Sequence, residues 1–285
     1  MKDLNQLINK TNINSFVLGF PKCATTSLCQ WLESSKVIEV TGPKETNLFA
    51  PEFAHRQPSF YPAPLSESAL IRIEASTLNV YSKLLLETLA DRKEIKVVIL
   101  TRMLNEVAES WHRQMFKAGF ITENLELERF VAGDSGYELE NYRLILSHGS
   151  IIQNWLDRLG HDRVLILNSY ELAENPIEIA HLLEKFFGAQ LDLPTTVPKT
   201  NTFSVPRNKK LYSFLRKPVI KSIWYILEAK IKILKRARIL IREKVLLKEA
   251  TKPNSFKIDK VDWLLSEEKL ANVYLSQNRE WWLNR

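Results

Sequence analysis

Between Gly19 and Ser27 the chain reads Gly-Phe-Pro-Lys-Cys-Ala-Thr-Thr-Ser, one lysine followed closely by three consecutive hydroxyl residues. Hydroxyls in the first turn of a helix, beside the backbone N–H groups that its N-terminus presents, form a cradle for a phosphate-like anion; Lys22 adds a point charge. For an isolated Thr-Thr pair the plainer alternative is that Thr25 or Thr26 caps a helix. The nucleoside-triphosphate loop, G-x-x-x-x-G-K-[ST], needs its lysine immediately before the hydroxyl residue. Counted from Gly19, the last three of those positions hold Ala24, Thr25 and Thr26, and the lysine stands earlier, at Lys22. The spacing argues for a nucleotide other than ATP or GTP.

A second basic element is Leu100-Thr101-Arg102, followed eight residues later by Ser110. An arginine at the carboxyl end of a strand and a serine two turns into the next helix can converge on one phosphate, the guanidinium gripping it bidentately and the hydroxyl completing the shell. Taken singly, each reads as a surface arginine or a helical serine. Taken together, they offer a second phosphate site.

Both elements require strands that end in loops and reopen as helices. The first 190 residues alternate short β-branched runs with longer amphipathic stretches, the pattern of parallel strands joined by helical crossovers. Strands are expected over 13–20, 71–75, 96–101 and 163–169, with Ile95 to Leu100 central because it is apolar without alternation. Helices are expected over 25–34, 80–91, 106–118, 140–159 and 176–187, the last opened by Pro176 and closed by Gly188. Leu191 to Pro206 reads as a connecting loop. A basic amphipathic helical stretch follows from Lys209 to Lys248, and a final helix lies near 266–279. The expected architecture is therefore α/β, a P-loop-like three-layer α/β/α core over 1–206 with a mostly parallel sheet, and a basic helical C-terminal region, 207–285, packed on it.

Composition fits a globular chain. With 285 residues, 45% of them hydrophobic, the sequence can bury a full core. The net charge of +7 is regional: Lys209 to Lys248 holds thirteen Lys and Arg against two acids, a local +11, which leaves −4 for the rest. That segment reads as a solvated face packed through its apolar stripe, a lid over an anionic acceptor, or an interfacial helix on acidic lipid. Cys23 and Cys29 do not suggest a disulfide or a zinc site, and neither a signal sequence nor a spanning segment is evident, so a cytoplasmic protein, peripheral to a membrane at most, is expected.

At these residues the chain resembles the sulfotransferase superfamily, above all its carbohydrate branch, which includes heparan sulfate sulfotransferases and many bacterial members. Gly19 to Leu28 is similar to the family's 5′-phosphosulfate loop, P-K-x-G-T-T-S-L, and Arg102 with Ser110 matches its 3′-phosphate pair. The resemblance covers roughly residues 13 to 215. It implies 3′-phosphoadenosine 5′-phosphosulfate as co-substrate, adenosine 3′,5′-bisphosphate as product and no metal. Lys22, Cys23, Ala24, Thr25, Thr26 and Ser27 would hold the 5′-phosphosulfate, with Lys22 also stabilising the leaving phosphate. Val205 to Asn208 is similar to a late loop that closes over the nucleotide, which adds Arg207 and Asn208.

Pro43-Lys44-Glu45-Thr46-Asn47-Leu48-Phe49 resembles the K-E-x-x-F-F stretch, so Glu45 becomes the implied catalytic base and Lys44 an acceptor contact. Ile73-Glu74-Ala75-Ser76 resembles a segment lining the acceptor cleft, which brings in Glu74 and Ser76; His55 is the second candidate base. His112 and His148 read as structural or surface residues. Ala24 departs from the family's usual glycine and adds a methyl group where backbone approaches closely. Ala75 stands where heparan-modifying members carry lysine, and Asn47 where they carry histidine. The implied acceptor is a hydroxyl or amine of a glycan, a lipid-linked glycan or a small alcohol. The rivals are a P-loop kinase or NTPase, against which the displaced lysine counts, and a nucleic-acid-binding protein, for which the basic segment supplies charge but no reader motif.

Overall fold

Five short apolar runs form one parallel sheet. They are β1 (Ser15–Gly19), β2 (Ile38–Val40), β3 (Ile71–Glu74), β4 (Lys96–Thr101) and β5 (Val164–Asn168), in the spatial order β2-β3-β1-β4-β5. The computed structural model describes residues 4–41, 45–52, 65–118, 142–198, 204–206, 247–249 and 261–285. β1 is buried along its whole length and pairs with β3 on one side and β4 on the other. That explains its unbroken apolar pattern, since a strand covered on both faces has no solvent side to alternate with.

Helices α1 (Leu4–Thr11), α2 (Thr25–Leu32), α3 (Lys83–Ala90), α4 (Leu104–Ala118), α5 (His148–Leu159), α6 (Ser169–Glu174), α7 (Pro176–Phe187) and α8 (Asp262–Leu283) accompany the sheet. The expected strands and the helix 176–187 are present within a residue or two of their predicted ends, but the middle of the sheet is β1 and not the run 95–100, whose strand β4 is covered equally well one place nearer the edge; Gly188 closes α7 with the left-handed φ of 69°. The helix expected over 80–91 is instead a 3₁₀ turn, Thr77–Tyr81, followed by α3, whose cap Ser82 accepts the Leu85 N–H. Of the helix expected over 140–159, residues 142–146 and α5 are helical, with a break at Ser147. β2 and α6, of 3 and 6 residues, are too short to show a reliable period, and α1 is a further helix beyond those expected.

Two expectations about the later chain are corrected. Leu191 to Pro206 is not all loop, because Ser204–Pro206 forms a strand, β6, paired antiparallel with β7 (Leu247–Glu249). Lys248, expected in the basic helical stretch, lies instead in β7: backbone pairing with a distant segment overrides the local helical spacing. The rest of that stretch, residues 209–246, lies outside the described residues.

α8 shields the sheet's β5 edge. Asn278, fully buried on α8, accepts the Ile166 N–H at 2.8 Å and donates to the Val164 carbonyl at 2.8 Å. Its carboxamide thus satisfies edge groups that would otherwise invite another strand. α8 also lies against α5, where Gly149 permits the approach: a Cβ there would sit 2.6 Å from the Glu267 carbonyl oxygen and 2.7 Å from Leu270 Cβ. Among the described residues no helix is long and apolar enough to cross a membrane.

Candidate functional site

Because β3, β1 and β4 are adjacent and parallel, their carboxyl ends lie side by side. Each end leads into a segment singled out above: Glu74 to Ser76 after β3, the Lys22 loop after β1, and Arg102 after β4. In open parallel sheets this edge, where crossovers leave in opposite directions, forms the ligand crevice.

The loop after β1 is shaped by two left-handed residues that are not glycine, Lys22 (φ 75°) and Ala24 (φ 61°, ψ 20°). Ala24 is the N-cap of α2, and the Leu28 N–H returns to its carbonyl. Left-handed backbone suits a residue without Cβ, so glycine would be the unstrained choice at this position. The fold tolerates Ala24 in that geometry. Gly19 meets a separate need: a Cβ there would stand 2.2 Å from the Thr25 Cγ2 atom. Its bare backbone lets Thr25 close down on the strand end, and Thr25, Thr26 and Ser27 form the first turn of α2, whose N–H groups by helix geometry point outward along the axis.

Positive charge gathers beside this turn. The Lys22 ammonium donates to Gln114 Oε1 at 3.1 Å, and its pKa is lowered by burial first and then by the nearby Arg102 and Arg113 charges. The Arg102 guanidinium donates to the Lys22 carbonyl at 3.2 Å and to Glu106 at 2.5 Å, which joins the two basic elements and uses two of its five donors. Ser110 lies half-buried further along α4. Arg113 and Gln114 went unremarked in the sequence, although their places three and four residues after Ser110 put all three on one helical face. Cys23 is fully buried inside the loop, where burial drives its thiol pKa up; neither it nor Cys29 is in a disulfide.

The histidines on this edge are structural. His148 is fully buried, stacks on Phe20 with ring centroids 3.6 Å apart, and has Nδ1 2.9 Å from Thr101 Oγ1. Burial lowers its pKa to about 3, so it is neutral. His112 Nδ1 lies 3.1 Å from the Tyr142 hydroxyl.

Glu45 is exposed, and its Oε2 accepts both the backbone N–H (2.8 Å) and the hydroxyl (2.9 Å) of Thr77. Glu74 and Ser76, expected in the acceptor cleft, are instead buried, with relative exposures of 1% and 0%. The Glu74 carboxylate accepts from the Thr46 hydroxyl, from the N–H and hydroxyl of Ser76, and from the Asn79 amide. Burial pushes its pKa up to about 7; the Ser76 and Thr46 hydrogen bonds work against that, and the Glu45 charge adds to it. Lys44, His55, Arg207 and Asn208 lie outside the described residues.

The arrangement can bind an anion at the α2 turn, place cations around it, and hold an exposed carboxylate at the neighbouring strand end. No family model and no curated protein matches the chain. Among solved structures, a sulfotransferase from Alicyclobacillus acidocaldarius is 18% identical with a TM-score of 0.52, and the match covers 79% of this chain and 95% of that one. A sulfotransferase domain from the curacin biosynthetic pathway (13% identity, TM-score 0.44, 63% of this chain and 75% of that one) and mouse SULT7A1 complexed with PAP (13%, 0.42, 81% and 89%) also match. The first likeness shows that this chain has the sulfotransferase fold.

Proposed function

We propose that this chain, built on the sulfotransferase fold, transfers a sulfuryl group from 3′-phosphoadenosine 5′-phosphosulfate to a hydroxyl or amine acceptor. The observation that carries the reading is the link between the two anion elements: Arg102 donates to the Lys22 carbonyl, so the end of β4 and the loop after β1 form one basic surface. A nucleotide with phosphates at two positions fits two such elements. An NTPase-type loop, with its lysine next to the hydroxyl residue, does not describe them.

In this reading Thr25, Thr26, Ser27 and the backbone at Cys23 and Ala24 hold the 5′-phosphosulfate, and Arg102 and Ser110 hold the 3′-phosphate. Lys22 stabilises charge growing on the leaving phosphate; Arg113, close enough to depress the Lys22 pKa, strengthens the same field. Glu45 takes the acceptor's proton as the nucleophile attacks sulfur in line. The acceptor class is a carbohydrate, glycolipid or small alcohol, with Lys44 and His55 as acceptor contacts, Arg207 and Asn208 on the nucleotide, and 209–248 as a further surface for an anionic acceptor or acidic lipid.

Calorimetric titration with adenosine 3′,5′-bisphosphate and, separately, with ATP tests the donor. Bisphosphate binding that Arg102→Ala weakens is the expected result; tight ATP binding with no response to bisphosphate refutes the assignment. A labelled-sulfate transfer assay against glycan, lipid and small-alcohol extracts then identifies the acceptor. With it, Glu45→Gln should abolish turnover while bisphosphate affinity stays near wild type, and retained turnover would move the base elsewhere.

A further inference from the structure

Glu45 begins a segment whose backbone is held in an unfavourable shape, with left-handed φ at Glu45 (65°) and Asn47 (51°). Neither is glycine, so the conformation persists only where surrounding bonds over-determine it. Those bonds lead to one group. Glu74 receives the Thr46 hydroxyl at 2.9 Å and the Ser76 hydroxyl at 2.5 Å, and the same Ser76 oxygen accepts the Asn47 N–H at 3.0 Å. Thr46 Oγ1 in turn receives the Leu48 N–H at 3.5 Å.

On the other side of the clamp Glu74 accepts the Ser76 N–H at 3.1 Å, which fixes the turn that presents Thr77 to Glu45. The two carboxylates thus grip consecutive residues: Glu74 takes the N–H and hydroxyl of Ser76, and Glu45 those of Thr77. Among the described residues Glu74 forms no ion pair, and the Glu45 carboxylate opposes rather than offsets its charge, so hydrogen-bond donors stand in for a counter-cation.

We propose that Glu74 is a positioning residue, a buried carboxylate that acts through Thr46, Ser76 and Asn47 to hold the Glu45 segment and aim the Glu45 carboxylate at the edge of β3. Its role in catalysis rests on the sulfotransferase reading; its grip on the segment does not. A buried carboxyl group that bonds the Glu45 segment through Thr46 directly and through Ser76 at one remove ties that segment to the turn after β3, and a base must be held to a fraction of an ångström to act.

The test compares wild type, Glu74→Gln and Ser76→Ala by hydrogen exchange, bisphosphate calorimetry and turnover on whichever acceptor the transfer assay identifies. Gln keeps the size of Glu74 and replaces one of its two accepting oxygens with an amide that can only donate. Ser76→Ala removes the hydroxyl that links Glu74 to the Asn47 N–H while leaving the Glu74 side chain in place, and so decides the matter if Glu74→Gln fails to fold. Expected in either variant are amide exchange over residues 45–50 at least tenfold faster, unchanged exchange across β4, bisphosphate affinity within twofold of wild type, and kcat at least tenfold lower with donor KM within threefold. Wild-type exchange over 45–50 in both variants overturns the proposal. So does faster exchange with undiminished kcat. If wild type fails to bind bisphosphate, the sulfotransferase reading falls, while the exchange result still decides whether Glu74 holds the segment.

Discussion

Replacing Ala24 with glycine isolates the energy stored in the anion loop. Ala24 sits at φ 61° and ψ 20° as the N-cap of α2. A left-handed L-residue is about 1–2 kcal/mol above its right-handed alternative, and the methyl group is the cause. Glycine removes that strain and is also the better N-cap, but it frees the unfolded chain by roughly 0.4–1 kcal/mol. The difference leaves Ala24→Gly more stable than wild type by about 0.5–1 kcal/mol, which for a chain of this size corresponds to about 2 °C in Tm. Ala24→Val should move the other way by at least about 1 kcal/mol, because a β-branched side chain tolerates positive φ least. Urea denaturation with a common m-value measures both. If Ala24→Gly is neutral or destabilising while Ala24→Val is harmless, Ala24 does not hold a left-handed cap, and the strain assigned to this loop is absent.

Gly19→Ala should disrupt the loop from the other side: its Cβ falls 2.2 Å from Thr25 Cγ2, and relief requires Thr25 to leave its rotamer or shift away, at about 1–3 kcal/mol. Bisphosphate affinity should fall with it, and calorimetry showing wild-type binding would separate Thr25 from the anion site. Gly149→Ala places a Cβ 2.6 Å from the Glu267 carbonyl oxygen and 3.0 Å from the Ala271 nitrogen, so it should prise α8 from α5 at a similar cost of about 1–3 kcal/mol; an unchanged urea midpoint would contradict that packing. Glu74 carries a pH signature. Its folded pKa is raised by burial to about 7 from an ordinary 4.5, so its contribution to stability is fully present below about pH 4.5 and is lost as pH rises through 7. The loss is on the order of 3 kcal/mol. The stability difference between wild type and Glu74→Gln, followed from pH 4.5 to 8, should therefore shift against wild type as pH rises, and a pH-independent difference would mean that Glu74 titrates normally.

Much of the site could be read from contiguous residues. Lys22 through Ser27 follow a strand and open a helix, and Arg102 ends another strand; each signal lies within a few positions of chain, where apolar runs and turn chemistry are local. Glu74 was harder. The resemblance of Ile73-Glu74-Ala75-Ser76 to a cleft-lining segment implies a place in the acceptor cleft, yet the Glu74 side chain is enclosed by Thr46 and Asn79 as well as Ser76, contacts made across 28 and 5 residues as well as 2. Arg113 and Gln114 belong to the same category, because their relevance comes from Lys22, 92 residues before Gln114. The strand pairing of Ser204–Pro206 with Leu247–Glu249 was likewise invisible to local spacing.

By itself the sequence determined four of the five sheet strands and the main helices, that a lysine and three hydroxyls lie where a strand gives way to a helix, and that an arginine follows β4. It did so because hydrophobic period and helix-start chemistry depend on near neighbours in the chain. Only the tertiary structure decided the order β2-β3-β1-β4-β5, which sets the ends of β3, β1 and β4 side by side, joins Arg102 to the Lys22 loop, and buries Glu74 behind the Glu45 segment it holds. Parallel pairing joins strands far apart in sequence. A strand's residues record that both faces are covered, but not which strand lies beside it.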